Sequence, residues 1–258
     1  MSSFAGRVPS VQMVSNRTDA GHDGHVGWDA VTDDLRVVLE VGPKGKKVVA
    51  TAWDWPGLER NGKSEEEALA KLAAYLPRYA SVAGRASRSA EFVRQAAITV
   101  VETYGGVGST DFWGISFASC DLDRQAIDVD EWERRLGLLR ACWAEFDDVV
   151  ARVSPDLRTG PRGGGRNRDE IINHVFGNER VQFARKVGVA TPPGVMLTPD
   201  GLQTHRDAFI DGLREYHADG KKAGRTWTVS FLLRHTAYHV MDHAWEMEDK
   251  DLANAAGN

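Results

Sequence analysis

Four histidines carry the clearest chemistry in this 258-residue chain. Three of them, His235, His239 and His243, recur every four residues in the run WTVSFLLRHTAYHVMDHAWEMEDKD. On a helix of about 3.6 residues per turn, a step of four places neighbouring imidazoles about 40° apart and about 6 Å along the axis. Either adjacent pair can grip one ion. Two imidazoles at i and i+4 are a standard source of two of the three protein ligands of a catalytic divalent-metal site, which keeps its remaining positions open to water or substrate. The third ligand must come from another element. His174, in DEIINHVFGNE, shares a face with Ile171 and Phe176 and points toward the interior of its own helix packing. A lone histidine on an apolar face is more often a hydrogen-bonded core residue. The coincidence of two interior signals on separate helices is what favours a metal.

The residues around these histidines narrow the chemistry. Thr236 and Val240 stand where a zinc protease carries the glutamate that follows its first histidine, which argues against proteolysis. Asp242 or Glu246 is placed to orient a ligand imidazole through its second nitrogen. Upstream lies Arg158-Thr159-Gly160-Pro161-Arg162-Gly163-Gly164-Gly165-Arg166-Asn167-Arg168, where glycines free the backbone amides and arginines gather positive charge at a helix start. Arg162, Arg166 and Arg168 are candidates to hold a carboxylate or phosphate of a substrate or thiol cofactor; the alternative is a solvated connector. Cys142 has no neighbour that would depress its pKa and reads as a small buried side chain. His22 and His25, in an Asp/Gly-rich stretch, read as part of a solvated tail.

These side chains need a scaffold, and the apolar periodicity supplies one. Trp132, Leu136, Leu139, Trp143, Phe146 and Val150 recur at three- and four-residue steps, which predicts a helix over about 130–153. Further helices are expected over about 167–187, 199–216 and 228–251. Thr228 caps the last, and Trp227 with Leu232 can staple its entry. Four helices joined by substantial loops imply a bundle. His205 and His217, in the third helix and its exit, read as surface residues without a motif.

The order I-I-N-H-x-x-x-x-E on the second of these helices and H-x-x-x-H-x-x-E-M on the fourth resembles the DinB-like superfamily over roughly 125–252. That family is a four-helix metal-binding fold which includes thiol-dependent transferases and isomerases. The resemblance implies metal ligands at His174, His239 and His243, with Glu179 and Glu246 at flanking family positions and His235 surplus. It implies one divalent metal, zinc first with nickel, manganese or iron as alternatives, and a low-molecular-weight thiol as a candidate cofactor. Family membership indicates a scaffold better than a reaction.

Ahead of the bundle the patterning changes. LRVVLEVG and VVATAWDW flank a Gly/Pro/Lys turn, a hairpin signature. The turn-rich segment Trp55–Gly62 follows, and then Ser64 caps a helix with Glu67 completing a capping box. Ala68, Leu69, Leu72, Ala73, Tyr75 and Leu76 place one apolar face toward the hairpin, and a third strand is expected at Ala97–Thr103. Strand, strand, W-P-G-L-E-R-N-G, S-x-E-E-A-L and helix together resemble the HicB-like domain over roughly 34–82, a family whose members neutralise partner toxins. No added DNA-binding segment is evident.

The expected architecture is thus α+β in two domains: a flexible tail at 1–30, a HicB-like α/β domain at 31–118, an all-α DinB-like bundle at 119–252 and a short tail at 253–258. A net charge of -5 removes the general attraction for nucleic acid or anionic membrane. No apolar run reaches the roughly 18–20 residues of a membrane helix, and no secretory leader is evident. Two cysteines are too few for a disulfide scaffold, so a cytoplasmic setting is expected. The leading expectation is a metal-dependent enzyme, a thiol-dependent transferase or isomerase, acting on a small molecule. The alternative is a non-catalytic regulatory protein whose HicB-like module binds a partner protein and whose bundle is metal-stabilised. Exposed edge strands also allow a homodimer.

Overall fold

The computed structural model describes residues 10–12, 34–93, 97–160, 164–224 and 226–255. The protein is α+β, and its chain divides into two compact units, one of residues 1–54, 59–80 and 88–117, the other of 55–58, 81–87 and 118–258. Among the described residues, no helix is long and apolar enough to cross a membrane.

The first unit is a five-stranded mixed sheet. Its strands are β1 (Ser10–Gln12), β2 (Asp34–Val41), β3 (Val48–Ala52), β4 (Glu59–Gly62) and β5 (Ala97–Gly105), in the order β1-β5-β2-β3-β4. The expected hairpin is β2–β3, paired antiparallel from Val37↔Ala52 to Val41↔Val48. β5 runs parallel to β2, with a bulge between Val37 and Val38. Helix α1 (Glu65–Arg85) starts where expected: Ser64 Oγ accepts from the Glu67 amide at 3.2 Å. The Glu67 carboxylate reaches back to the Lys63 amide at 2.9 Å. Helices α2 (Ser89–Val93) and α3 (Gly108–Trp113) flank β5 in the chain.

Two expectations change here. The segment Trp55–Gly62, read as turns throughout, ends in strand β4, which pairs antiparallel with β3 from Thr51↔Glu59 to Val48↔Gly62. A charged residue in that strand masks it in the sequence. Glu59 is buried, and its carboxylate accepts from Thr51 Oγ1 at 2.8 Å and from the Ser116 amide at 3.1 Å. The tail expected at 1–30 contains β1, whose three residues pair in parallel with Ala97–Thr99 of β5. The open edge of β5 supplies the backbone partners that a polar tail does not advertise. The rest of that tail, His22 and His25 included, lies outside the described residues.

The second unit carries four long helices, α4 (Val129–Arg152), α5 (Arg168–Asn178), α6 (Pro199–Ala218) and α7 (Val229–Lys250). Each begins on a side-chain cap. Asp128 accepts from the Glu131 amide at 2.8 Å, Asn167 from Glu170 at 2.9 Å, Thr198 from Gly201 at 3.2 Å and Thr228 from Phe231 at 3.0 Å. Such caps satisfy amides that a helix start leaves without partners. Trp227, at the entry to α7, packs on Phe231 with ring centroids 4.8 Å apart. Helix α7 packs against α4, α5 and α6 and is buried around most of its circumference. The charge this buries is matched: Arg234 reaches Asp123 at 2.9 Å, both fully enclosed.

The helix expected over 167–187 is interrupted. After Asn178 it widens into a π turn at Glu179–Phe183, tightens into a 3-10 turn at Ala184–Val187 and ends on Gly188 with φ 80°. The widened turn falls where buried Glu179 takes the Trp143 Nε1–H at 2.8 Å and buried Phe183 meets His235 and His239. A π turn inserts one residue and so re-aims side chains that a regular helix would stack.

Candidate metal centre

Three histidines from two helices converge. His174 comes from α5, His239 and His243 from successive turns of α7, and one ligand nitrogen from each lies within 4.8 Å of the others. His174 Nε2 and His239 Nε2 are 3.3 Å apart. The rings of His174 and His243 meet edge-on with centroids 4.8 Å apart, as do those of His239 and His243. All three residues are half-buried. The i, i+4 pair works as the sequence suggests, because residues four apart lie one above the other on a helix face.

Glu246 orients the third imidazole. Its Oε2 is 2.7 Å from His243 Nδ1, and Lys250 Nζ holds its other oxygen at 2.5 Å. With Nδ1 donating to the carboxylate, the His243 lone pair is at Nε2. The hydrogen bond with His243, helped by Lys250, holds the Glu246 carboxyl at about 2, so it is ionised. Burial, then the nearby His243 and Arg166, pushes His174 down to about 4, with Glu246 opposing. Burial and the neighbouring histidines, with Arg166 adding to them, take His239 well below its usual value. His174 and His239 are therefore neutral near pH 7, the form in which imidazole binds a metal.

The donor set fits a divalent ion. Nitrogens bound at about 2.0–2.1 Å in a tetrahedral shell stand about 3.3–3.4 Å apart, and the His174–His239 separation already has that value. His239 Nδ1 is buried with no hydrogen-bond partner among the described residues. Phe183 closes one side of the cluster, edge-on to both His239 and His235.

The other candidate residues are distributed unevenly. His235 stands outside the cluster in an aromatic box, stacked on Phe231 with centroids 5.3 Å apart and edge-on to Phe183 and Trp227. Asp242 is half-buried on α7, and the orienting contact to His243 belongs to Glu246. Glu179 is not beside the ligand imidazoles. It faces Trp143, His205 and Arg206, because a step of five from His174 turns it to the opposite side of α5. Arg168 is committed to Asp169 at 3.1 Å and to the Val153 carbonyl at 3.4 Å. Arg162 lies outside the described residues. Arg166 is exposed, and its charge acts on both His174 and His239.

His205 and His217 are not the surface residues expected. His205 is buried, 2.6 Å from Thr191 Oγ1 through Nδ1 and 3.5 Å from Glu179 Oε1 through Nε2. His217 stacks flat on Trp132 with centroids 4.3 Å apart. Cys142 is buried as expected, and burial, with Glu145 adding, pushes its thiol up and out of the reactive range. Asn178 was missed, although its position four residues after His174 is legible. Its Nδ2 donates to the His174 carbonyl at 2.9 Å and lies 3.3 Å from each ring nitrogen, against the ring rather than along one lone pair.

Comparison with protein-family models, with curated proteins and with solved structures finds no match to this chain in any of the three. The class that fold and site define therefore rests on geometry alone: an α+β protein whose helical unit presents a half-buried three-histidine cluster.

Proposed function

We propose that the helical unit is a DinB-like bundle and that the protein is a metal-dependent enzyme, a thiol-dependent transferase or isomerase acting on a small molecule. The observation that carries this reading is the convergence of His174, His239 and His243 on one partly open point. Residues 31–118 are read with it as a HicB-like accessory domain. Zinc is the first choice of ion, since three imidazoles with room for an exogenous ligand suit it, although the same nitrogens also accept nickel, manganese or iron.

A divalent ion bound there would supply Lewis acidity, which acidifies a water or thiol toward neutral pH. The chain's own residues do the rest. His174 and His239 offer neutral lone pairs, and Glu246 fixes the tautomer and tilt of His243. Lys250 holds Glu246 in place from the other oxygen. Phe183 keeps water from one side of the cluster, leaving the approach of substrate to the other.

Metal content measured by plasma mass spectrometry on protein purified without a histidine tag or chelator tests the reading. Close to one metal per chain is expected, lost in His174→Ala and in His239→Ala with the fold retained by circular dichroism. Absence of metal after loading with zinc, nickel and manganese would overturn it.

A further inference from the structure

A metal-ligating imidazole is ordinarily oriented by a hydrogen bond at its second nitrogen. His243 has that partner in Glu246, at 2.7 Å. His239 is different: its Nε2 faces His174 Nε2 at 3.3 Å, and its Nδ1 is buried without a hydrogen-bond partner among the described residues. Beyond the other two histidines of the cluster, the ring that packs on His239 is Phe183, edge-on with centroids 5.4 Å apart. Phe183 is itself buried, and His235, one turn earlier on α7, meets it edge-on at 5.5 Å. The tilt of one candidate ligand is therefore set by packing on a phenyl ring.

Phe183 closes the π turn that Glu179 opens, and the Ala184 amide donates to the Glu179 carbonyl, five residues back. In a regular helix residues four apart lie one above the other, so Glu179 and Phe183 would point the same way. The extra residue turns Phe183 by about 100°. One side chain then faces α4 and α6 while the other faces α7. Trp143 Nε1–H, on α4, donates to Glu179 Oε2 at 2.8 Å. Trp143 packs in turn against Phe209 of α6, with centroids 6.2 Å apart, which fixes the donor. From α6, His205 Nε2 and Arg206 Nε stand 3.5 and 3.9 Å from Glu179 Oε1. The carboxylate is buried, and Trp143 is its one direct hydrogen-bond donor among the described residues.

We infer that Glu179 is a positioning residue for the metal centre: held by Trp143, its carboxylate fixes the π turn that seats Phe183 against His239 and so sets the tilt of that imidazole. This inference rests on the metal-centre reading above. π turns are rare inside helices, and this one has a buried anchor at each end, Glu179 toward α4 and Phe183 toward α7. Relaxing it to a regular helix would carry the phenyl ring away from His239 and leave the imidazole free to turn about its side-chain torsions.

The test uses full-length protein loaded with cobalt(II), whose visible absorption reports the arrangement of its ligands and whose affinity is read by competition with a chelator. Phe183→Leu removes the ring, Glu179→Leu the acceptor and Trp143→Phe the donor, whereas Glu179→Gln keeps an oxygen for the Trp143 N–H. Phe183→Leu and Glu179→Leu should each weaken cobalt binding about tenfold, the lower end for loss of a group that orients a ligand imidazole, and alter the visible spectrum in the same way. Trp143→Phe should shift both readouts in that direction, and Glu179→Gln should keep both at wild-type values. Because the two residues act through one path, Glu179→Leu/Phe183→Leu should bind cobalt no more weakly than Phe183→Leu alone. Wild-type affinity and spectrum in folded Phe183→Leu, Glu179→Leu or Trp143→Phe overturns the positioning role alone. So does additive weakening in the double variant, or a Glu179→Gln protein as weak as Glu179→Leu. Failure of the wild type to take up cobalt overturns the metal-centre reading and this inference with it.

Discussion

Replacing Glu246 by Gln should weaken metal binding about tenfold without unfolding the protein. The carboxylate stands 2.7 Å from His243 Nδ1, and glutamine keeps an oxygen that can accept the same N–H while losing the charge. Removing an outer partner of a ligand imidazole typically lowers metal affinity by about 10–100-fold. The lower end applies here because Lys250 already draws on the same carboxylate through its other oxygen. Tenfold corresponds to about 1.4 kcal/mol. Lys250→Met should act in the opposite direction, tightening binding by about two- to threefold as the full carboxylate charge turns to His243. Competition against a chromophoric zinc chelator at neutral pH measures both variants. At a fixed excess of free zinc, the metal's contribution to unfolding free energy should fall by about 1.4 kcal/mol in Glu246→Gln, since ligand stabilisation follows the logarithm of affinity. Equal zinc affinity in Glu246→Gln and wild type, with both metal-free proteins folded, would refute the orienting role.

Three further outcomes are expected. His235→Ala should keep its metal while losing about 2–4 kcal/mol of stability to urea, because its ring packs against Phe231 and Phe183 rather than joining the cluster; metal loss in this variant would reassign the ligands. Glu179 is raised to about 7 by burial against the pull of Arg206 and Trp143, so its favourable contribution is full below about pH 4.5 and lost as pH rises through 7. His205 is lowered to about 4, chiefly by burial, and works oppositely: its contribution is present above about pH 6.5 and lost as pH falls to 4. The stability of wild type minus that of Glu179→Gln should therefore decline by about 3 kcal/mol between pH 4.5 and 8, and parallel urea profiles would contradict the buried carboxyl. Asp123→Ala should cost about 3–5 kcal/mol by stranding the enclosed Arg234 guanidinium, with much of that recovered in Asp123→Ala/Arg234→Leu; a double variant as unstable as the single one would show that the pair does not act as a unit.

What could be read from residues alone follows a physical division. Helix phase, caps and the His239–His243 pair are properties of one segment, settled by spacing along a single axis, and they appear where the sequence puts them. Glu246 belongs with them, three residues after His243 on the same face. Glu59 in β4 and His205 in α6 were misread, and Arg206 beside His205 carried no reading at all, for a shared reason. Each is a polar residue buried by partners distant in the chain: Thr51 and Ser116 for Glu59, Thr191 and Glu179 for His205, Asp147 at 3.0 Å for Arg206. Local polarity then signals exposure when the fold delivers burial, because desolvation is offset only by contacts that no single segment contains. The π turn after Asn178 is illegible on the same ground, since Glu179 and Phe183 meet their partners on other helices.

The candidate site straddles that division. Its two histidines on α7 could be found by counting. The third needed a guess about which helices face one another, and Glu179, given a flanking place by family position, shows how that guess fails: five residues after His174 it turns to the other side of the helix, toward Trp143, His205 and Arg206.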